Sequence, residues 1–339
     1  MLRERADVIK KVRSFFNEQG YLETDTPLLA PDLIPESCLE VFETKRLSPG
    51  GSPPEPAAEP CSPSVSLRRG SPPEKPYWLI PSPEVWMKRL IAEHRANIFQ
   101  ICKCFRNGES LGYMHNPEFT MLEYYTMETD YLGSLSITEK LFKNLAVPFD
   151  LSPPFIKITI EEAFYKWAGF DLYKTAAEGG MEEKARRLKL NPPEGLSAGE
   201  LYDLIFIHAV EPRLKLEKPV VLLDYPAFVP CLAKKKPGGK TVERWELYAH
   251  GIELANCYSE ETSAEEVRLF FESEKAKKEK KSLISHNVDD NYWKLFDTGY
   301  AGGKGFPKCS GTAMGLDRLI MVLTGRKTLD GVIPFPMVQ

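Results

Sequence analysis

Residues 104–125, CFRNGESLGYMHNPEFTMLEYY, constrain the chain more than any other stretch. The flanking runs NIFQICKCFRN and EFTMLEYYTM have the β-branched and aromatic content of strands, and the polar loop 107–116 joins them as an antiparallel hairpin. That hairpin packs arginine, asparagine, histidine and glutamate side chains into a strand-like frame. Burying such groups without partners costs about 2–7 kcal/mol each, so they must meet one another or a ligand.

The rest of the chain supplies the setting. Val8, Val12 and Phe15 recur at helical spacing up to a stop at Gly20, and YLETDTPLL follows as a strand ending on Pro27. Residues 46–76 are rich in Pro, Ser, Gly and Glu, which predicts a disordered insertion in a long hairpin loop between LEVFET and YWLIP. SPEVWMKRLIAEH opens a helix with Ser82 as N-cap and Pro83 at its first position. From 134 to 216 the signals are helical, with a capping box at Ser197 and Glu200 and His208 on an apolar face as a core histidine. KPVVLLDYP is a buried strand, and the segment 234–260 is a hairpin turning at Pro237-Gly238-Gly239. SAEEVRLFFESEKAKKEKKSL is a helix with a solvated charged face, and CSGTAMGLDRLIMVLTG runs from a glycine-spaced turn into a helix. Hairpins separated by helical blocks predict one α+β domain over 1–339 around an antiparallel sheet.

Composition narrows the class. A chain of 339 residues with 42% hydrophobic content can bury a substantial core. No apolar run reaches the roughly 20 residues of a spanning helix, and the charged N-terminus lacks the apolar stretch of a secretion signal, so a cytoplasmic protein without membrane contact is expected. Seven scattered cysteines argue for reduced thiols, with Cys102 and Cys104 side by side on one strand face. The net charge of −4 is not the basic footprint of a protein built to grip nucleic acid.

Three polar patches carry chemistry. Arg106, Glu109, His115 and Asn116, with Phe119 just beyond, offer cationic donors to phosphate and a flat face to a purine. Glu246, Glu253 and Glu260 follow at intervals of seven, so alternation puts Glu253 on the opposite side of a strand from the other two unless a bulge intervenes. Such acids suit Mg²⁺ beside a triphosphate, a substrate ammonium, or merely solvent. Gly311 and Gly315 ahead of Asp317-Arg318 allow close backbone approach while Arg318 reaches a phosphate.

In this order TDTPLL, FRN…HNPEFTMLEYY and GTAMGLDR resemble the three signature motifs of class II aminoacyl-tRNA synthetases, and SPEVWMKRL, HNPEFTMLE and GIELAN…SE resemble the lysyl-tRNA synthetase branch. The resemblance spans nearly the whole chain apart from 46–76. It implies a catalytic domain with a six-stranded antiparallel sheet flanked by helices, which uses ATP and Mg²⁺ to form an aminoacyl adenylate. It implies that Arg106 holds the α-phosphate and the amino-acid carboxylate, and that Phe119 stacks on adenine opposite Arg318. Asn107, Glu109, His115, Asn116 and Gly315 become ATP contacts, and Glu246 and Glu253 the Mg²⁺ carboxylates. Ser82, Glu84, Tyr125 and Glu260 would receive a lysine-type side chain, Asn256 its backbone end, and Ala313 would shape the pocket.

The chain opens at the first catalytic helix, with no stretch for an anticodon-binding barrel, so no tRNA partner is expected. In this it is similar to the elongation factor P lysine ligases, which also have alanine where Ala313 stands, whereas lysyl-tRNA synthetases have glycine there. That implies elongation factor P as acceptor and a preference for (R)-β-lysine. The alternatives are an adenylate-forming paralogue with another acceptor (tRNA, a carrier protein or a small amine) and a catalytically silent regulatory paralogue. Cys257 stands where the family has glycine. The first helix and the strand ending at Pro27 match the superfamily's dimer motif, so a homodimer is expected.

Overall fold

The computed structural model describes residues 1–45, 76–108, 112–299 and 303–337. Apart from Pro76, the insertion expected at 46–76 lies outside these residues, as does Glu109. Helix α1 (Leu2–Glu18) buries Val12, Phe15 and Phe16, and the chain reverses through Gly20 at φ +79°. Short strands β1 (Leu22–Glu23), β2 (Leu29–Ala30), β3 (Glu43–Lys45) and β4 (Pro76–Leu79) follow. Lys45 pairs with Pro76, so residues 46–75 connect the two arms of an antiparallel hairpin. Then come α2 (Glu84–His94), β5 (Ile98–Phe105), β6 (Glu118–Met127) and α3 (Tyr131–Asn144). Beyond them lie β7 (Ile156–Thr159), α4 (Ile160–Ala163), α5 (Leu172–Ala177), α6 (Met181–Arg187), α7 (Ala198–Ile205) and β8 (Val220–Leu223). The remaining elements are β9 (Arg244–Ala249), β10 (Ile252–Ser259), α8 (Ala264–Lys281), β11 (Cys309–Gly315) and α9 (Leu316–Leu323).

The main sheet has eight strands in the order β1-β5-β6-β11-β10-β9-β8-β7, not six. The run from β5 to β8 is antiparallel throughout, and each edge carries one parallel strand, β1 on β5 and β7 on β8. Parallel neighbours need long crossovers, which the stretch through α2 supplies at one edge and the α4–α7 block at the other. β7, only IKIT, is too short to stand out within a helical region.

Other departures have local causes. CSGTAMG is a strand rather than a turn, because β6 and β10 pair with it on both sides. The main hairpin of 234–260 turns at His250-Gly251, both at positive φ, the geometry of a two-residue hairpin loop. The expected Pro237-Gly238-Gly239 turn also forms, closing a bridge between Lys235 and Val242. His208 lies in a π-helical turn, Phe206–Val210, which rotates it off the apolar face and exposes it.

The core unites α1 with the sheet through aromatic packing. Phe16, fully buried, stacks on Phe99 at 5.0 Å and lies against Tyr124 at 4.8 Å. Truncating it leaves a cavity where helix and sheet meet. Phe16→Ala is expected to lower unfolding free energy by about 3–5 kcal/mol in urea titration. A loss below about 1 kcal/mol would mean that α1 is not part of the folding core.

Candidate active site

Strand pairing assembles the site. On one face of the sheet, Ala313 of β11 lies between Glu123 of β6 and Asn256 of β10, and Asn256 in turn faces Glu246 of β9. Two residues along, Gly311 lies between Tyr125 and Tyr258, and Tyr258 faces Arg244. Side chains two apart share a face, so both rows point into the same space. Two adjoining cavities of about 190 Å³ and 460 Å³ open there, with Arg106, Arg244, Asn256 and Ala313 lining both. Glu253 joins them through a bulge: its partner is Tyr248, while the next paired residue, Ala255, faces Leu247. The extra residue reverses the alternation, and Glu253 lines the larger cavity with Glu246.

The smaller cavity is acidic. Glu84 and Glu260 reach it from α2 and the end of β10, and a lysine of the chain itself lies between them. Lys88 Nζ is 2.5 Å from Glu84 Oε1 and 2.7 Å from Glu260 Oε2, and the residue is fully buried. Tyr258 donates to Glu84 Oε1 at 3.1 Å. The other Glu260 oxygen, Oε1, is buried without a hydrogen-bond partner among the described residues. Burial pushes the Glu260 carboxyl up to about 7, with Lys88 pulling the other way. Glu123 accepts from Tyr125 at 2.8 Å and Ser82 at 3.0 Å, and burial and then Glu84 hold its carboxyl well above the usual range. Ser82 Oγ also accepts from Glu84 N at 3.0 Å, so it caps a helix assigned from Glu84, one residue later than expected. A Cβ on Gly311 would lie 2.4 Å from Glu260 Oε1 and 2.5 Å from Tyr125 Cε1, so only glycine fits there.

Cations and a flat ring line the larger cavity. Arg318, in the first turn of α9, donates to Met114 O and Glu253 O, both at 3.2 Å, and lies beside the His115 ring. Asp317 is locked by Thr120 N at 2.7 Å and Arg5 at 2.6 Å, which fixes where Arg318 leaves the helix. Gly315 lines the cavity at the start of α9. Arg106 lies over the Phe119 ring at 5.3 Å. Asn116 also lines the cavity, although its side-chain Oδ1 accepts from Met337 N at 2.9 Å. Asn107 is not brought to either cavity; it ties the loop to Val41 O at 3.3 Å.

Glu246 already accepts from Arg244 at 2.6 Å and Tyr248 at 2.7 Å. The cavity walls and then Glu246 push Glu253 up to about 7. Two carboxylates on one cavity fit Mg²⁺, which takes one or two protein oxygens and completes its shell with water and phosphate. Among the described residues no cluster of three or more ligand side chains forms a closed metal cage.

Sequence reasoning missed Lys88, Arg244, Glu123 and Tyr258. Helical spacing from Glu84 to Lys88 and strand spacing from Arg244 to Glu246 were the available signals, since both place the pairs on one face. Removing Lys88 leaves the buried Glu260 carboxylate uncompensated beside Glu84. A carboxyl whose folded pKa lies above its unfolded value favours folding at low pH, and that contribution is lost as pH rises through the folded value. Lys88→Met raises the Glu260 value further, so its deficit should be small at pH 5 and approach about 3–5 kcal/mol at pH 8.5 in urea titrations. Equal losses at both pH values would remove the ion pair as the cause.

A family profile described as tRNA synthetases class II (D, K and N) matches residues 1–339. An elongation factor P--(R)-beta-lysine ligase from Avibacterium paragallinarum is 33% identical over 335 residues, covering 98% of this chain and 94% of that protein. One of the same name from Proteus mirabilis (strain HI4320) is 31% identical over 339 residues, covering 99% and 94%. Among the described residues no helix is long and apolar enough to cross a membrane. With the whole chain matched and ligases at this identity along its length, the chain belongs to the class II tRNA synthetase (D, K and N) family and is an ATP-dependent ligase.

Proposed function

We propose that the enzyme activates a lysine-type amino acid, (R)-β-lysine, as its adenylate and transfers it to a lysine side chain of elongation factor P. The observation that carries the activation reading is the adjoining of an acid-lined pocket and a larger cation-lined cavity, with Arg106 and Arg244 at their junction. The names of the two relatives support the substrate and the acceptor.

Charge decides the substrate class. Glu84 and Glu260 share one internal cation, Lys88, and among the described residues Glu260 Oε1 has no hydrogen-bond partner, which leaves an acceptor aimed at a cationic ligand. A single substrate ammonium would reach Glu260 Oε1 beside Tyr125 and Tyr258. Asn256 takes the backbone end, and the Ala313 methyl at the junction restricts where that end lies. Such a methyl discriminates by about 1–3 kcal/mol, enough to favour the β-amino acid without excluding α-lysine.

In the larger cavity Phe119 and Arg318 sandwich adenine, and His115, Asn116 and Gly315 line the nucleotide path. The amino-acid carboxylate attacks the α-phosphorus, an O–P bond forms, and pyrophosphate leaves with the electrons of the broken bond. Arg106 neutralises the charge that builds on the α-phosphate. Glu246 and Glu253 would hold Mg²⁺, which when bound neutralises phosphate charge. No covalent enzyme intermediate is required; positioning supplies the rate. One catalytic domain over 1–339 performs this in the cytoplasm as a homodimer, with α1 and the segment to Pro27 at the two-fold interface, where Leu2 and Leu22 are exposed.

Pyrophosphate exchange with α-lysine, (R)-β-lysine and other amines tests the activation step. Exchange should be fastest with (R)-β-lysine, and Arg106→Ala should slow it by about 10²–10³-fold. No exchange with any lysine isomer would defeat the proposal. Elongation factor P incubated with the enzyme should gain the mass of one aminoacyl group; an unchanged mass despite exchange would point to another acceptor. Sedimentation at micromolar concentration should give twice the chain mass, and a monomer would remove the dimer.

A further inference from the structure

If the enzyme transfers its acyl group to a protein lysine, as proposed above, the acceptor arrives as an ε-ammonium. With an ordinary pKa near 10.4, only about one such amine in 2,500 is neutral at pH 7. Attack on the adenylate carbonyl therefore calls for a base where the two cavities meet, since one holds the amino acid and the other the nucleotide.

Among the described residues lining both cavities, Arg106 and Arg244 are cations, and Glu36 is the one carboxylate. Cys38, the other ionisable group there, has its thiol pushed up to about 11, first by burial and then by Glu36. Glu36 lies on the loop between β2 and β3 and is partly exposed, so it faces both the junction and water. Helix α8 holds that loop. Lys278 donates to Glu36 O at 3.1 Å and also binds Leu39 O, while Ser37 donates from N and Oγ to Glu274 Oε2 at 3.0 and 2.7 Å. These contacts use the loop's main chain and Ser37. The Glu36 carboxylate enters no hydrogen bond or salt bridge among the described residues.

We propose that Glu36 is the general base of acyl transfer, taking a proton from the acceptor ammonium at the junction of the two cavities. Its charged surroundings suit the task. Burial first and then Glu84 push its carboxyl up to about 7, against Arg106, Lys278 and Lys88, with Cys38 on its own loop and Glu274 on α8 nearby. A base with a pKa near the working pH is both unprotonated often enough and basic enough. In the step, the ammonium gives one proton to Glu36, and the amine nitrogen then bonds to the carbonyl carbon. The bond from that carbon to the phosphate oxygen breaks, and AMP leaves with its electron pair. The nitrogen's second proton, acidic once the N–C bond has formed, passes to water, and Glu36 returns its own proton to solvent at the rim.

Single-turnover transfer from enzyme preloaded with acyl adenylate to elongation factor P, followed from pH 6 to 9, tests this. The parent rate should rise with an apparent pKa near 7 and level off. Glu36→Gln should transfer about 10²–10³-fold more slowly at pH 7 and recover steadily as pH rises and the acceptor loses its proton unaided. Glu36→Asp should keep the parent's pH profile at an intermediate rate. A Glu36→Gln profile matching the parent's would overturn the assignment. So would pyrophosphate exchange reduced as much as transfer, because Glu36 would then serve activation or folding. Parent enzyme that exchanges pyrophosphate but modifies no lysine would instead sink the acceptor reading, and the role of Glu36 with it.

Discussion

The placement of β11 between β6 and β10 is the constraint on which the rest of the site depends. A strand carrying Gly311, Ala313 and Gly315 on its pocket face presents almost no side-chain bulk, so larger residues of its neighbours lean over it from both sides. Tyr125 and Glu260 meet above Gly311, and Glu123 and Asn256 flank Ala313. At its C-terminal end the strand passes directly into α9, so the pairing that shapes the smaller cavity also sets where Arg318 enters the larger one. The Asp317 contacts to Thr120 and Arg5 then tie that helix start to β6 and α1.

The electrostatics follow from enclosure. Buried ion pairs recover their desolvation cost only with good geometry, and one removed partner leaves a charge stranded. In the Glu84–Lys88–Glu260 cluster two carboxylates share one ammonium, and among the described residues Glu260 Oε1 has no hydrogen-bond partner. Glu253 is likewise pushed up beside Glu246. Glu260 and Glu253 each line a cavity, so a cation placed there would favour their charged forms.

Much of this was legible from local patterns. The motif hairpin, the Ser197 capping box, the long helix capped by Ser263 and the hairpin on either side of 46–75 all rest on neighbours in sequence, which periodicity and capping residues report. The failures share a different cause. His208 left its expected face because one π-helical turn changed the period, and β7 was hidden because an edge strand of a few residues has no pattern of its own. Arg244 and Lys88 drew no reading, since burial of a charged residue depends on what the remainder of the chain brings against it.

What the sequence by itself determined was the inventory: which polar residues cluster in each patch, and most of the strands and helices that carry them. Side-chain type and short-range spacing suffice for that, because both are local properties. Only the tertiary structure decided the convergence. The bulge after Glu253 turned that acid toward Glu246, Lys88 lay between two carboxylates from different elements, and a loop more than sixty residues from Arg106 brought Glu36 to the same junction. Each of these depends on register and packing between distant segments, which are set by the global balance of pairing and burial rather than by any stretch of the chain alone.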